Sequence, residues 1–587
     1  PGTGDKACRL PAAVALRYSS PIAPSSSLMK NLTFSLLICG LLAAGCSGPG
    51  TTREEQAAAT DATDADYHIL LAEIALQRQQ YPVAASEYTR AVRLSEDPEL
   101  AERAARVVFN YGTYEQAVAT AERWAELAPE AIDARRYLVL LYLQTGRVKE
   151  AVPHLRTLYE ASGAGTEEGY GALLPLLNEA RDTEAAAEAM SRLADKADDD
   201  PTARYANGFM ALQAGDVETA RSEAQIASDA RPEWNEARML LARAVLASGD
   251  TEGALRLLSD QPGFRDDISL RLEYAILQLA AERPEEARLQ LELLLGAHPR
   301  LPGALRTLGF LEFQQGNYDL AERYFVELMS TRRFVSDALY YLGGMSEDEG
   351  DLDTAAGFYS RVTSGGNAVP ARIRLSLILY RLGRSEEALR QLEHFEEADP
   401  ISAVELTGAR GELLTRMGRY EDALALYERR LERYPGDESL LYGRAFLFEQ
   451  MDRVDDSIKE LEALLARNPD DPVALNALGY TLADRTTDYE QARDYLARAY
   501  EQSPNSPAII DSMGWVEYKL GNYDTAIEYL QRAWSIDRDP EIAAHLGEVY
   551  WVTGDEAAAT DIWYESLQEN PDSEALREVI DRFQPAP

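Results

Sequence analysis

The amino-acid sequence predicts an all-α solenoid, about fifteen antiparallel helix pairs stacked in one array and closed by a C-terminal capping helix. Three observations carry that expectation. A small or apolar residue, in most repeats set after an apolar one, returns every 33 to 35 positions; a proline recurs where the second helix of a pair should end; and no strand pattern is evident.

The returning residue stands at Ala72, Ala105, Val139, Leu174, Gly208, Ala242, Ala275, Gly309, Gly343, Ser376, Gly411, Ala445, Gly479, Gly514 and Gly547. Two antiparallel helices of about 14 residues with two short turns use about 34 residues, so each interval is one helical hairpin. The stretch from Pro302 to Val335 shows the pattern: Leu308-Gly309 where the two helices meet, Gly316 at the turn, then Tyr318, Ala321, Phe325 and Leu328. Small residues let the backbones approach and large ones fill the space between. Pro129, Pro232, Pro299, Pro400, Pro435, Pro469, Pro504 and Pro571 share the slot that stops the second helix.

Five segments follow in chain order. Residues 1–28, rich in Pro, Ser and Ala, are read as an upstream extension from gene-start choice. From Met29 to residue 45, Lys30, the apolar run Leu32 to Leu42 and Ala43-Ala44-Gly45 have the layout of an export signal, too short to span a bilayer. Residues 46–64 are a polar tether beginning at Cys46. Residues 65–573 are the helical array, and 574–587 a capping helix with its tail. The weakest pair lies between Thr166 and Asp200, where Pro175 interrupts the first helix; a bend or looser packing is expected there.

The chain has 587 residues with a formal net charge of -41. Loss of residues 1–45, with four Lys/Arg and one Asp, makes it about -44 by the same counting. That balance disfavours nucleic acid and close contact with anionic lipid, and permits basic partners; most acidic residues serve to solvate outer helix faces. Cysteines occur only at 8, 39 and 46, so the processed chain has no intramolecular disulfide and depends on helix packing. The five histidines fall in different repeats without metal-ligand spacing, and no nucleophile elbow or phosphate loop is present. No catalytic residue, metal or cofactor is expected.

The hairpin pattern resembles the tetratricopeptide (TPR) superfamily, which implies a right-handed superhelix whose first helices, here called A helices, line the concave surface. By that resemblance the inward positions, three or four apart on one helical face, include Asn476, Tyr480, Asp511, Trp515, Tyr518 and Trp551 in the late repeats. A second inward group is Arg306, Phe310, Phe313 and Tyr340, with Tyr442 and Phe446 between the two. Aromatic rings with amide and carboxylate groups suit extended peptides; the same rings also suit packing between neighbouring A helices. Asn476 stands where peptide-binding members often place an asparagine, without the basic residues of a carboxylate clamp. Tyr81, Tyr318, Tyr420 and Tyr523 fall at positions expected in the core.

The ending Ala43-Ala44-Gly45-Cys46 resembles a bacterial lipobox, which implies that Cys46 is acylated; Ser47 after it implies the periplasmic face of the outer membrane. The stretch beginning HILLAEIALQRQQYPVAASEYTRAV, with LNALGYTLADRT and DSMGWVEYKLGNYDTAI, is similar to a proteobacterial family of large TPR lipoproteins. That resemblance implies an adaptor binding a periplasmic carboxyl-terminal processing protease and presenting peptidoglycan hydrolases to it, with early repeats around Tyr67 to Tyr114 and the late groove serving different partners. Two readings compete: an assembly subunit of an outer-membrane secretion or pilus machine, and a cell-wall enzyme with an unrecognised site.

Overall fold

The computed structural model describes residues 65–584 except 79, 198, 399–402 and 572. The extension, the export signal, Cys46 and the tether, together with Pro400, lie outside the described residues.

Helix starts are set locally. Asp97, Asp200, Asp471 and Asp539 each precede a proline that opens an A helix, and each carboxylate accepts the amide two residues on, at 2.8 to 2.9 Å. Proline's fixed φ suits a first helical turn, where its missing N–H leaves nothing unpaired. Between paired helices the chain reverses through residues of positive φ, such as Gly316 (+72°) and Gly521 (+83°), a conformation open to glycine at little cost. Glu282 and Asp452 take the same place at +57°. Seven of the eight stop prolines follow a second helix by two residues, as expected of a residue that cannot continue it.

The resulting pairs run in order. Repeats one to three are α1 (Ala65–Gln77) with α2 (Tyr81–Arg93), α3 (Pro98–Tyr111) with α4 (Tyr114–Leu127), and α5 (Ile132–Gln144) with α6 (Val148–Ser162). Repeat four has a 3-10 turn (Gly169–Leu173) and the short α7 (Leu174–Leu177) before α8 (Thr183–Ala194). Then come α9 (Pro201–Gln213) with α10 (Val217–Ala230), α11 (Asn235–Ala247) with α12 (Thr251–Ser259), and α13 (Ile268–Ala280) with α14 (Pro284–Ala297). Repeats eight and nine are α15 (Pro302–Gln314) with α16 (Tyr318–Ser330), and α17 (Val335–Asp348) with α18 (Leu352–Ser360); α19 (Ala368–Arg381) and α20 (Ser385–Ala398) come next in the chain. Next are α21 (Ala403–Arg416) with α22 (Tyr420–Arg433), and α23 (Glu438–Gln450) with α24 (Val454–Arg467). The last three are α25 (Pro472–Arg485) with α26 (Tyr489–Gln502), α27 (Pro507–Lys519) with α28 (Tyr523–Ile536), and α29 (Pro540–Val552) with α30 (Glu556–Glu569). Helix α31 (Glu574–Phe583) follows, and no strand occurs among the described residues. No described helix is long and apolar enough to cross a membrane.

Fourteen of the fifteen periodic residues are buried, and the exception is Leu174. The reason is visible where glycine fills the slot. A Cβ on Gly309 would stand 2.7 Å from the Phe325 ring, on Gly343 2.9 Å from Tyr359, and on Gly479 or Gly514 2.6 Å from Leu496 or Leu530. Each of these four A helices thus receives a large side chain of its partner helix into a notch that has no room for a methyl group.

Leu174 marks the irregular fourth repeat, where the expected long A helix is replaced by the 3-10 turn and one short helix. Pro175, expected from the sequence to interrupt the first helix, stands in the first turn of the short α7, where proline is tolerated. Packing is nonetheless continuous there: Leu173, Leu176 and Leu177 belong to one buried cluster reaching from Ala72 to Met210. The interruption changes helix length without opening the core.

The chain divides into two compact units, one through Ile378 and one from Leu379. In the second, α31 lays Leu576, Val579 and Ile580 against α29 and α30, burying a face that would otherwise end the stack in water.

Candidate protein-binding face

In the second unit the A helices α25, α27, α29 and the cap α31 pack side by side. Their facing positions form pairs of aromatic and acidic groups. The Trp515 indole N–H donates to Asp484 Oδ1 at 3.1 Å, Tyr518 donates to Glu548 Oε1 at 3.1 Å, and Tyr480 donates to Glu541 Oε1 at 3.2 Å. His545 is buried at the centre, with Nδ1 2.9 Å from Asp511 Oδ2 and its ring stacked on Trp515 at 4.1 Å and 22°. Burial alone would lower the imidazole pKa, yet Asp511, Glu541 and Asp484 outweigh it and the net shift is upward. Burial, then the nearby Glu541, Asp484 and Asp511, holds the Tyr480 hydroxyl far above the usual tyrosine range.

The sequence assigns Asn476, Tyr480, Asp511, Trp515, Tyr518 and Trp551 to a partner-facing surface, and the structure sorts them. Tyr480 and Tyr518 are half-buried with polar tips on this face. Asp511 and Trp515 are buried, at 6 % and 5 % exposure, because adjacent A helices lie close enough for these groups to pair with each other. Trp551 packs 5.7 Å from Trp563 and 5.9 Å from Phe583, so it serves the cap junction. Asn476 is half-buried and its Oδ1 has no hydrogen-bond partner.

Tyr442 and Phe446 share α23 but differ in setting. Tyr442 donates to Asp471 Oδ2 at 2.6 Å, and its hydroxyl pKa is raised by burial and then by that bond. Phe446 is 53 % exposed. In the first unit, Arg306 pairs with Asp337 at 2.5 Å and lies 5.0 Å over the Phe334 ring. Phe310 and Phe313 both pack on Tyr341, at 5.5 and 5.3 Å. Tyr340 is buried at 6 %, tilted against Tyr359 of the paired helix, and so belongs to the core. Of the tyrosines expected in the core, Tyr81, Tyr318 and Tyr420 are only half-buried and Tyr523 is 40 % exposed, since their ring ends reach the turns.

Three members of the late face escape the sequence reading: His545, Asp484 and Glu541. His545 lies 34 residues after Asp511, one repeat on, which is the signal that brings the two together. Glu541 meets Tyr480 across two repeats, a span that a single-repeat pattern does not encode.

An array of helix pairs with small-to-large interlocking, and a face of rings and carboxylates on successive A helices, defines a TPR solenoid of the protein-binding class. TPR models match residues 102–165, 210–261, 306–368 and 373–438, and a second TPR model matches 414–479 and 486–548. The irregular fourth repeat falls in the gap between 165 and 210. The chain is 32 % identical over 544 residues to the TPR repeat-containing protein PA4667 of Pseudomonas aeruginosa, covering 89 % of this chain and 91 % of that protein. It belongs to the tetratricopeptide repeat family. It is also 25 % identical over 582 residues to cellulose synthase 1 operon protein C of Komagataeibacter xylinus, spanning 90 % of this chain and only 40 % of that protein. Among solved structures, the TPR protein TTC0263 of Thermus thermophilus is 28 % identical, with a TM-score of 0.28, over 30 % of this chain and 95 % of that one.

Proposed function

We propose that this chain is an outer-membrane-anchored periplasmic scaffold that binds a carboxyl-terminal processing serine protease and presents cell-wall hydrolases to it, without catalysis of its own. The observation that supports the scaffold is the run of aromatic and carboxylate pairs across α25, α27 and α29. Such a face offers rings to side chains and polar groups to a peptide backbone. The protease-adaptor part rests on the resemblance of the quoted segments to large TPR lipoproteins, among them the adaptor LbcA, and the anchor rests on Cys46. Tethering raises the effective concentration of protease and substrate for each other, so modest affinities at separate surfaces suffice.

Affinity purification from envelope extracts, with mass spectrometry of the mature N-terminus, tests this reading. Recovery of a serine protease with peptidoglycan hydrolases, and diacylated or triacylated Cys46, supports it. Wall fragments solubilised by the purified chain alone would return it to the enzymes.

A second reading, an assembly subunit of an outer-membrane secretion machine, draws on the similarity to a protein of a cellulose synthase operon across 90 % of this chain. In that case the same purification yields secretion or pilus components.

A further inference from the structure

The late A-helix face holds three aromatic–carboxylate pairs, and in two of them the chain supplies a cation of its own. At the Trp515–Asp484 pair, Lys519 Nζ lies 4.6 Å from the indole centroid and 3.7 Å from Asp484 Oδ1. At the Tyr518–Glu548 pair, Arg582 Nη1 lies 3.1 Å from Glu548 Oε2, reaching over from the cap. The third pair, Tyr480 with Glu541, has the same hydrogen bond and no Lys or Arg within ion-pair distance among the described residues. Glu541, on the first turn of α29, keeps an edge open to solvent while its carboxylate is crowded by neighbouring side chains, among them the carboxylates of Asp511 and Asp539 and the buried His545.

We propose that the Tyr480–Glu541 pair is a seat for an arginine or lysine side chain of a protein partner, so that the segment docking on α25, α27 and α29 is basic and extended.

The carboxylates alone would not define a ligand. What does is that Lys519 already lies over the ring and beside the carboxylate of one such pair, and Arg582 meets the carboxylate of the second, so the chain itself places a side-chain cation at both. An aromatic ring beside a carboxylate attracts a cation through both its face and the charge. No three His, Cys, Asp or Glu side chains among the described residues converge closely enough to hold a metal ion, whereas a side-chain cation needs only a ring and one carboxylate. Crowding supports this: burial, then the neighbouring Asp511 and Asp539, raises the Glu541 carboxyl pKa even with His545 opposing, and an incoming cation relieves that cost. The net charge of -41 would steer a basic segment toward the chain, while the seat gives it a register.

The inference rests on this face being the one that binds protein, and its test is independent of who the partner is. The probe is an acetylated, amidated Gly-Arg-Ser repeat peptide, with its citrulline counterpart as the neutral isostere, titrated against the full chain by fluorescence anisotropy at low and high salt. The expected result is binding of the arginine peptide only, weakened about three- to tenfold by Glu541→Gln and less by Tyr480→Phe. Glu218→Gln, the same charge change on exposed α10, should leave binding unchanged. Circular dichroism serves as the folding control for all three variants. Equal weakening by Glu541→Gln and Glu218→Gln would show diffuse attraction and overturn the seat, as would binding of the citrulline peptide at similar strength. Envelope purification that fails while Glu541-dependent peptide binding persists would overturn the protease-adaptor reading and leave the seat; the converse would overturn the seat and leave that reading.

Discussion

The imidazole of His545 lies 2.9 Å from the carboxylate of Asp511, across the junction of the last two repeats. Both are buried, and Trp515 covers the imidazole face at 4.1 Å. A buried ion pair of this kind gives the C-terminal unit a pH dependence of definite sign. His545 has a folded pKa above its unfolded value, so its contribution is fully present below about pH 6.5 and is lost as pH rises through the folded value. His154 in the first unit is the opposite case. Burial, then the guanidinium of Arg135 at 3.2 Å, lowers it to about 4, so its contribution is present above about pH 6.5 and lost as pH falls toward 4. Thermal unfolding followed from acid to alkaline pH should show His545→Gln flattening the alkaline loss and His154→Gln the acid loss. Exchange of those two effects would refute the assignment.

The glycine notch gives a stability prediction. A methyl group at Gly514 would stand 2.6 Å from Leu530 Cγ and 3.2 Å from the Ala526 carbonyl. Gly514→Ala should cost about 1–3 kcal/mol by overpacking. The same change in a Leu530→Ala background should cost less, because the opposing side chain is gone. Denaturant unfolding of the four-member cycle measures the coupling; strict additivity would mean that the notch is not what selects glycine.

The turn after α13 offers a stabilising change. Glu282 is exposed and holds φ +57° at the place where other repeats carry glycine. Glu282→Gly removes that backbone strain and should stabilise the chain by about 1 kcal/mol, whereas Glu282→Val should destabilise it. Midpoints of urea unfolding report both signs.

Trp515 and Phe446 separate core from surface. Trp515→Ala removes a buried ring, its stack on His545 and its bond to Asp484, and should cost about 3–5 kcal/mol. Phe446→Ala removes an exposed ring and should change stability by less than about 0.5 kcal/mol. On the scaffold reading, Phe446→Ala weakens partner capture at unchanged helicity. Loss of capture with Trp515→Ala is therefore interpretable only beside its unfolding curve.

Most of the fold is legible in the sequence because its causes are local. Asp-Pro starts, positive-φ turns such as Gly316 and stop prolines act within one helical turn, and the small residue at Gly309 or Gly547 answers a large one on the helix that immediately follows. Leu174 shows the limit: it keeps the period in a repeat whose A helix has shrunk to four residues, since tertiary packing of Leu173, Leu176 and Leu177 holds that segment in place without a long helix. The face is only partly legible. Tyr480, Trp515 and Tyr518 follow from helical spacing, but spacing assigns a side chain to a side of its helix and not to a partner.

By itself the sequence determines a repeat of helix pairs, the helix boundaries, the buried small residues and the order of groups along each A helix, because dihedral preferences and three-to-four-residue periodicity act within one repeat. Only the tertiary structure decides which of those groups meet. The rotation and translation from one A helix to the next bring His545 onto Asp511, send Arg582 to Glu548 and carry Tyr480 across two repeats to Glu541. Those distances sum over whole helices, and no local pattern of residues contains them.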